Sequence, residues 1–277
     1  MKIRAKKWHK WNDGFSVAKM DRWLVCSRDE WKIEDLLEIL NHHKDSFFGE
    51  KDWVVKEDRR TAVTLFEFAG KRICVKEYRY TSIGLKLKEL LRGSKARTGL
   101  VKGNEILKRG IKGITPLAML EKRRWAYIQE AFLIMETHPH FIELRRYLND
   151  TFGDPQQNVT KKKAFIRAIA AFLAKLYDLK IGHRDLKISN ILVKEVGSSW
   201  CFALTDWEDL ELDKQIKGKR LIKPLVQMNT SAPLYVSFMD RARFLKQYLT
   251  LIGRDDIEKV YREVIRWSEN RGWMMPM

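Results

Sequence analysis

Cysteine is scarce in this chain: Cys26, Cys74 and Cys201 are the only three in 277 residues, widely spaced and with no C-x-x-C pair. A disulfide framework is thereby excluded, no zinc site is indicated, and a reducing compartment is expected. Long apolar runs are missing as well. Nowhere do about 18 uncharged apolar residues follow one another, the minimum for a membrane-spanning helix. The first fifteen residues, Met1 to Phe15, are basic and carry tryptophans but hold no continuous apolar stretch, so a secretory leader is not expected either. Trp8, Trp11 and Trp23 read as interfacial anchors or, more commonly, as packed aromatics. Internal repeats and low-complexity tracts are absent. Negative charge is in deficit, with 36 Asp and Glu against 54 Lys and Arg and a formal charge of +18. That surplus predicts attraction to polyanions: nucleic acid, nucleotides, anionic lipid surfaces or phosphorylated glycans. The expected location is cytoplasmic, with a peripheral hold at a membrane surface.

What is present suffices for a large core. Hydrophobic residues make up 45% of the chain and aromatic residues 11%, enough for one large domain or two joined lobes. Residues 53–56, 61–68 and 72–78 are short, β-branched and aromatic, separated by polar turns, and predict an antiparallel meander. A helix is expected over Lys95 to Arg109, then strands over Thr115 to Leu120 and Trp125 to Met135. These make an α+β chain of two lobes. The N-terminal lobe, residues 1–136, is expected to have a five-stranded antiparallel sheet with one main helix. The C-terminal lobe, residues 137–277, is mostly helical, with a hinge near Met135 to His138. Its clearest helix spans Lys161 to Lys180, where Phe165, Ile166, Ile169, Phe172, Leu173 and Leu176 form one stripe. Further helices are expected over Arg241 to Ile252 and Ile257 to Trp267.

Phosphoryl transfer needs a group to orient the attacking hydroxyl, a group to hold the metal, and cations for the phosphates. The stretch His183-Arg184-Asp185-Leu186-Lys187-Ile188-Ser189-Asn190 has the spacing of the kinase signature H-R-D-x-x-x-x-N. One loop then presents the Asp185 carboxylate to a hydroxyl and the Asn190 amide oxygen to Mg²⁺. Lys187 can reach a transferring phosphate, while His183 and Arg184 brace the loop. Asp206, 21 positions past Asp185 at the end of the apolar Cys201 to Thr205 strand, is the second metal ligand, with Trp207 following where a phenylalanine usually stands. Lys76, at the end of Ile73-Cys74-Val75-Lys76, resembles the strand lysine that grips nucleotide phosphates. Glu105 is its expected helix partner ahead of Glu89, and Glu136 joins the nucleotide-binding set at the hinge. Taken singly, each such residue is more often a solvated charge; their order is what carries weight. The turn Val55 to Thr61 lacks G-x-G-x-x-G, so phosphate cover would fall to backbone amides or to Arg59 and Arg60, which otherwise are plain turn residues.

These motifs resemble the lipopolysaccharide core kinases, the Kdo and heptose kinases distantly related to eukaryotic protein kinases. The resemblance runs from about Trp53 to Tyr248. It includes Gly70-Lys71-Arg72, Ser94-Lys95-Ala96, the stretch from Gly110 to Pro116, and the arginine-rich tail Asp240 to Tyr248. It implies ATP and Mg²⁺ as cofactors and a sugar hydroxyl of the inner core as acceptor. Partners are then the core glycan or a lipid A-core precursor, at the inner face of the inner membrane with its anionic surface; nucleic acid is the weaker partner. Between Asp206 and the terminal helices there is no Ala-Pro-Glu, so the peptide platform of protein kinases is missing or rebuilt. Basic and aromatic residues, among them Arg79, Tyr80, Lys86, Lys88, Arg92, Lys95, Arg97, Lys219 and Arg220, are candidates to meet anionic sugars and lipid head groups, or else are solvated surface charges. The acidic Trp207-Glu208-Asp209 departs from the family pattern. Two alternatives stand beside this reading: a kinase of the same fold acting on a small molecule or a protein serine or threonine, and a basic binding module without catalysis.

Overall fold

The computed structural model describes residues 4–5, 14–48, 53–80, 93–124, 127–138, 140–153 and 159–272. The chain forms two compact units, Met1–Gly110 with Ile114–Pro139, and Ile111–Gly113 with His140–Met277.

The first unit is built on one antiparallel sheet. Strands β5 (Thr61–Phe68) and β6 (Lys71–Arg79) pair without interruption from Thr61 opposite Tyr78 to Phe68 opposite Lys71. The two residues between them, Ala69 and Gly70, have φ of 49° and 72°, the left-handed geometry whose twist matches a tight hairpin. Strand β4 (Val54–Glu57) flanks β5, and β7 (Ile114–Arg124) and β8 (Tyr127–Thr137) complete the five expected strands. The sheet is larger than five, however. Strands β1 (Arg4–Ala5), β2 (Phe15–Met20) and β3 (Trp23–Arg28) precede them, giving eight in the order β1-β2-β3-β7-β8-β6-β5-β4. Helix α1 (Ile33–Asp45) likewise joins the expected helix, here α2 (Lys95–Lys108). The physical reason for the shortfall lies in β3, where Val25, Cys26 and Ser27 are all buried; a strand covered on both faces shows no alternation.

The two helices supply that cover. Leu36, Ile39 and Leu40 of α1 pack with Val25, Leu120, Phe132 and Ile134. On the alternate face, α2 comes close through Gly99, where an added Cβ would lie 2.8 Å from Leu133 Cδ2. Ser94 caps α2 by accepting the Arg97 N–H at 2.9 Å, satisfying one of the helix's open amides. Trp23 is packed, its ring 6.1 Å from that of Phe132 with the Lys44 and Lys122 ammonium groups 5.8 and 5.6 Å above it. Trp8, Trp11, Lys86, Lys88, Glu89 and Arg92 lie outside the described residues.

The second unit is mainly helical. Its helices are α3 (Leu144–Phe152), α4 (Val159–Asp178), α5 (Lys219–Ser231), α6 (Phe238–Leu251) and α7 (Ile257–Glu269). The α4 stripe is buried at Phe165, Ile166, Ile169, Leu173 and Leu176; Phe172, at its edge, stacks on Phe202 at 5.3 Å. Two small antiparallel sheets carry the loops: β9 (Ile142–Glu143) with β11 (Ile191–Val196) and β12 (Ser199–Leu204), and β10 (Ile181–His183) with β13 (Leu210–Leu212). Gly113, at φ +127°, is seated so tightly that a Cβ there would meet the Ala203 methyl at 2.6 Å and the Phe141 ring at 2.9 Å. Among the described residues, no helix is long and apolar enough to cross a membrane.

Candidate active site

The loop from His183 to Asn190 leaves the end of β10 and returns into β11. His183 is buried, and its ring has a defined tautomer: Nδ1 accepts the Asp185 N–H at 3.1 Å, so Nε2 carries the proton and donates to the Thr205 carbonyl at 3.1 Å. Burial pushes the imidazole below its ordinary value of 6.5, against the upward pull of the Thr205 carbonyl and of Asp206, Asp209 and Asp185. The ring is therefore neutral in the folded chain. Below about pH 6.5 the unfolded chain takes a proton that the folded chain resists, so His183 contributes stability above that pH and loses it as the pH falls. Melting curves at about pH 5.5 and pH 7.5 should show a smaller acid-induced drop for His183→Asn than for the wild type.

Arg184 braces the loop from the other side. Its N–H donates to the Asp209 carbonyl at 2.9 Å, and its guanidinium to the Glu208 carbonyl at 3.1 Å and Asp209 Oδ1 at 2.8 Å. The acidic tract after Asp206 thus supplies the counter-ion of Arg184.

Both Asp185 oxygens are engaged. Oδ2 accepts from Lys187 Nζ at 3.0 Å and Oδ1 from Gln227 Nε2 at 2.7 Å. Asn190 Nδ2 donates to the Asp185 carbonyl at 2.8 Å, which orients the amide and leaves Oδ1 as its acceptor end. Asp206 follows β12 with φ 54° and ψ 48°, a left-handed backbone that begins the one-turn helix Trp207–Asp209. Such conformations in a non-glycine residue concentrate at functional sites. Trp207 is buried and donates its indole N–H to the Leu204 carbonyl at 2.7 Å, anchoring that turn. His183 ties the two halves together, since its ring joins the Asp185 amide to Thr205, the residue before Asp206.

Gln227 was not legible as a site residue. It reaches back from α5, where its Oε1 accepts the Leu186 N–H at 3.1 Å while Nε2 holds Asp185. Four residues on, Ser231 Oγ accepts the Ile188 N–H at 3.1 Å. The only signal in the sequence is a glutamine between Val226 and Met228, all three buried, a polar group where a core residue is the norm. Gln227→Leu removes a donor to Asp185 and an acceptor for Leu186. Losing such bonds costs about 1–3 kcal/mol, so turnover should fall roughly 10- to 100-fold in a steady-state assay at saturating substrate.

In the first unit Lys76 is buried on β6, its ammonium 5.3 Å from the centre of the Tyr78 ring. Glu105 does not pair with it. The carboxylate accepts from Arg109 Nε at 2.9 Å, one turn along α2. Glu136 lies inside the ladder opposite Ile73 and Thr115, and its carboxylate pairs with Lys71 at 2.9 Å. Arg59 and Arg60 are exposed in a turn closed by Asp58, whose Oδ1 accepts the Arg60 and Thr61 N–H groups at 2.7 and 2.8 Å. Those amides hold the Asp58 carboxyl well below the usual range. Among the described residues no cluster of three or more His, Cys, Asp or Glu is placed to hold a metal.

Residues 45–248 match the family model described as the lipopolysaccharide kinase (Kdo/WaaP) family. A solved structure described as WaaP in complex with acyl carrier protein is similar at a TM-score of 0.53 and 18% identity, over 79% of this chain and 86% of that one. At that identity the likeness speaks for the fold. No curated protein matches the chain.

Proposed function

The chain belongs to the lipopolysaccharide kinase (Kdo/WaaP) family, and from that membership we propose that it transfers the γ-phosphate of ATP to a heptose or Kdo hydroxyl of the lipopolysaccharide inner core. The observation that carries this reading is Asp185, a carboxylate fixed at both oxygens on a loop that also presents Asn190. Asp185 orients the sugar hydroxyl and accepts its proton. Lys187, already 3.0 Å from Asp185, is placed to neutralise charge on the transferring group. Lys76 grips the nucleotide phosphates. Glu105 would support it only by exchanging Arg109 for Lys76, and Glu136 contributes from the end of β8.

Asn190 and Asp206 suit Mg²⁺. Both offer hard oxygens, and Mg²⁺ is commonly held by one or two such side chains with substrate phosphates completing its shell. When bound, the ion would neutralise phosphate charge. The basic surplus of the chain suits work at the anionic inner face of the inner membrane.

Purified protein with labelled ATP and deacylated inner-core oligosaccharide should give acceptor-dependent transfer. Mass spectrometry of core oligosaccharide from cells lacking the protein should show the loss of one phosphate. ATP turnover indifferent to the oligosaccharide, together with an unchanged core, would sink the assignment and direct the search to small-molecule or protein acceptors.

A further inference from the structure

Beside the catalytic loop the second unit has a concave cavity of about 380 Å³, walled by Gly182 to Arg184, by β13 and by the start of α5. Its lining is cationic, and the cations divide into two groups. Arg184 is held by Asp209, while Lys214 and Arg220 share Glu211 at 2.8 and 3.4 Å. For Lys217, Lys219 and Lys223, no ion pair to any acidic group occurs among the described residues. Three lysines lining one concavity concentrate positive charge there, whereas Lys44, Lys71 and Lys162 each meet a carboxylate. The capping residue of α5 is Gly218, which offers no side chain to the first turn, so the positive end of the helix dipole adds to the same charge. His183 and Arg184 of the cavity wall directly precede Asp185 in the chain, so the loop that lines the cavity also carries the group proposed to meet the acceptor.

We propose that this cavity is an acceptor subsite for a phosphate monoester already present on the glycan. A doubly charged phosphate matches three flexible ammonium groups better than a neutral sugar does. The inference rests on the glycan-kinase reading and adds a place in a reaction sequence: a reaction that phosphorylates the glycan must precede this one.

The test uses phosphorylated inner-core oligosaccharide, the same material treated with a phosphomonoesterase, and inorganic phosphate alone. Calorimetric binding and steady-state transfer are measured with the wild type and with a Lys217→Gln/Lys219→Gln/Lys223→Gln variant. The wild type should bind the phosphorylated oligosaccharide at least about tenfold more tightly than the treated one, with the same ratio in acceptor KM. The triple variant should lose that discrimination. Equal binding of both oligosaccharides by the wild type overturns the subsite. So does inorganic phosphate binding as tightly as the phosphorylated glycan, which would mark a site for the free anion. Discrimination in binding without transfer to either oligosaccharide would leave the subsite standing and overturn the kinase reading instead.

Discussion

Asp185→Asn is expected to lower kcat for phosphoryl transfer by roughly 10²- to 10⁴-fold, the usual contribution of a positioned proton acceptor. The change keeps the shape of the side chain and removes its charge. Because Gln227 Nε2 and Lys187 Nζ are both donors, at 2.7 and 3.0 Å, an amide can satisfy only one of them through its oxygen; its NH₂ end faces a second donor. The backbone bonds of the loop, from Asn190 Nδ2 and the Lys187 N–H to the Asp185 carbonyl, survive. Melting temperature should therefore stay close to the wild-type value, and ATP binding measured by calorimetry should persist. Turnover within about threefold of the wild type would remove Asp185 from the chemistry.

The second large effect is on stability. Arg241 is buried, and its guanidinium donates to the carbonyls of Pro233 at 2.7 Å, Val236 at 2.8 Å and Ala232 at 3.3 Å, with further bonds to the Asn229 carbonyl and side chain. Burial pulls its pKa down to about 10, so it remains charged at neutral pH. One side chain thus gathers the turn that follows α5 and closes beneath α6. Arg241→Met removes a charged donor that these carbonyls share, although Pro233 keeps the Val236 N–H at 3.1 Å, and should cost about 3–5 kcal/mol, a fall in melting temperature on the order of 10 °C. Arg241→Lys should recover little, since one ammonium cannot span what a planar fork reaches. Calorimetry decides: a Met variant that melts within about 2 °C of the wild type contradicts the account. Because Gln227 and Ser231 sit on α5 just before this turn, activity should fall at lower temperatures than global unfolding.

Much of the architecture was readable because its periods are clean. Strand β5 alternates buried and half-buried positions from Thr61 to Phe66, and α4 keeps one apolar stripe from Phe165 to Leu176. The His183 to Asn190 loop is contiguous, so its position between two strands could be placed without tertiary knowledge. Asp206 could be placed because two short strands bring the chain back by simple length. Three things were not legible, each for a different reason. Strand β3 lacks alternation because Val25, Cys26 and Ser27 are all buried. Glu105 was expected to face Lys76, but helical spacing brings Arg109 onto the same face one turn away, and a local partner wins without any cost in loop closure. Gln227 lies 42 positions beyond Asp185, and no local pattern connects a residue in one helix to a loop that far upstream.

The tripeptide Ile111–Gly113 has a consequence for how such enzymes can be recombined. Since it belongs with the second unit while the residues on either side of it belong with the first, the polypeptide passes from one to the other three times. A chimera fused at a single junction near residue 139 would carry the donor's tripeptide into the recipient's Ala203 and Phe141. With a 2.6 Å approach at Gly113, only a glycine is accepted there. Swapping the units between relatives therefore requires transplanting this three-residue patch with the C-terminal part: the two units are distinct in sequence span and inseparable as cassettes.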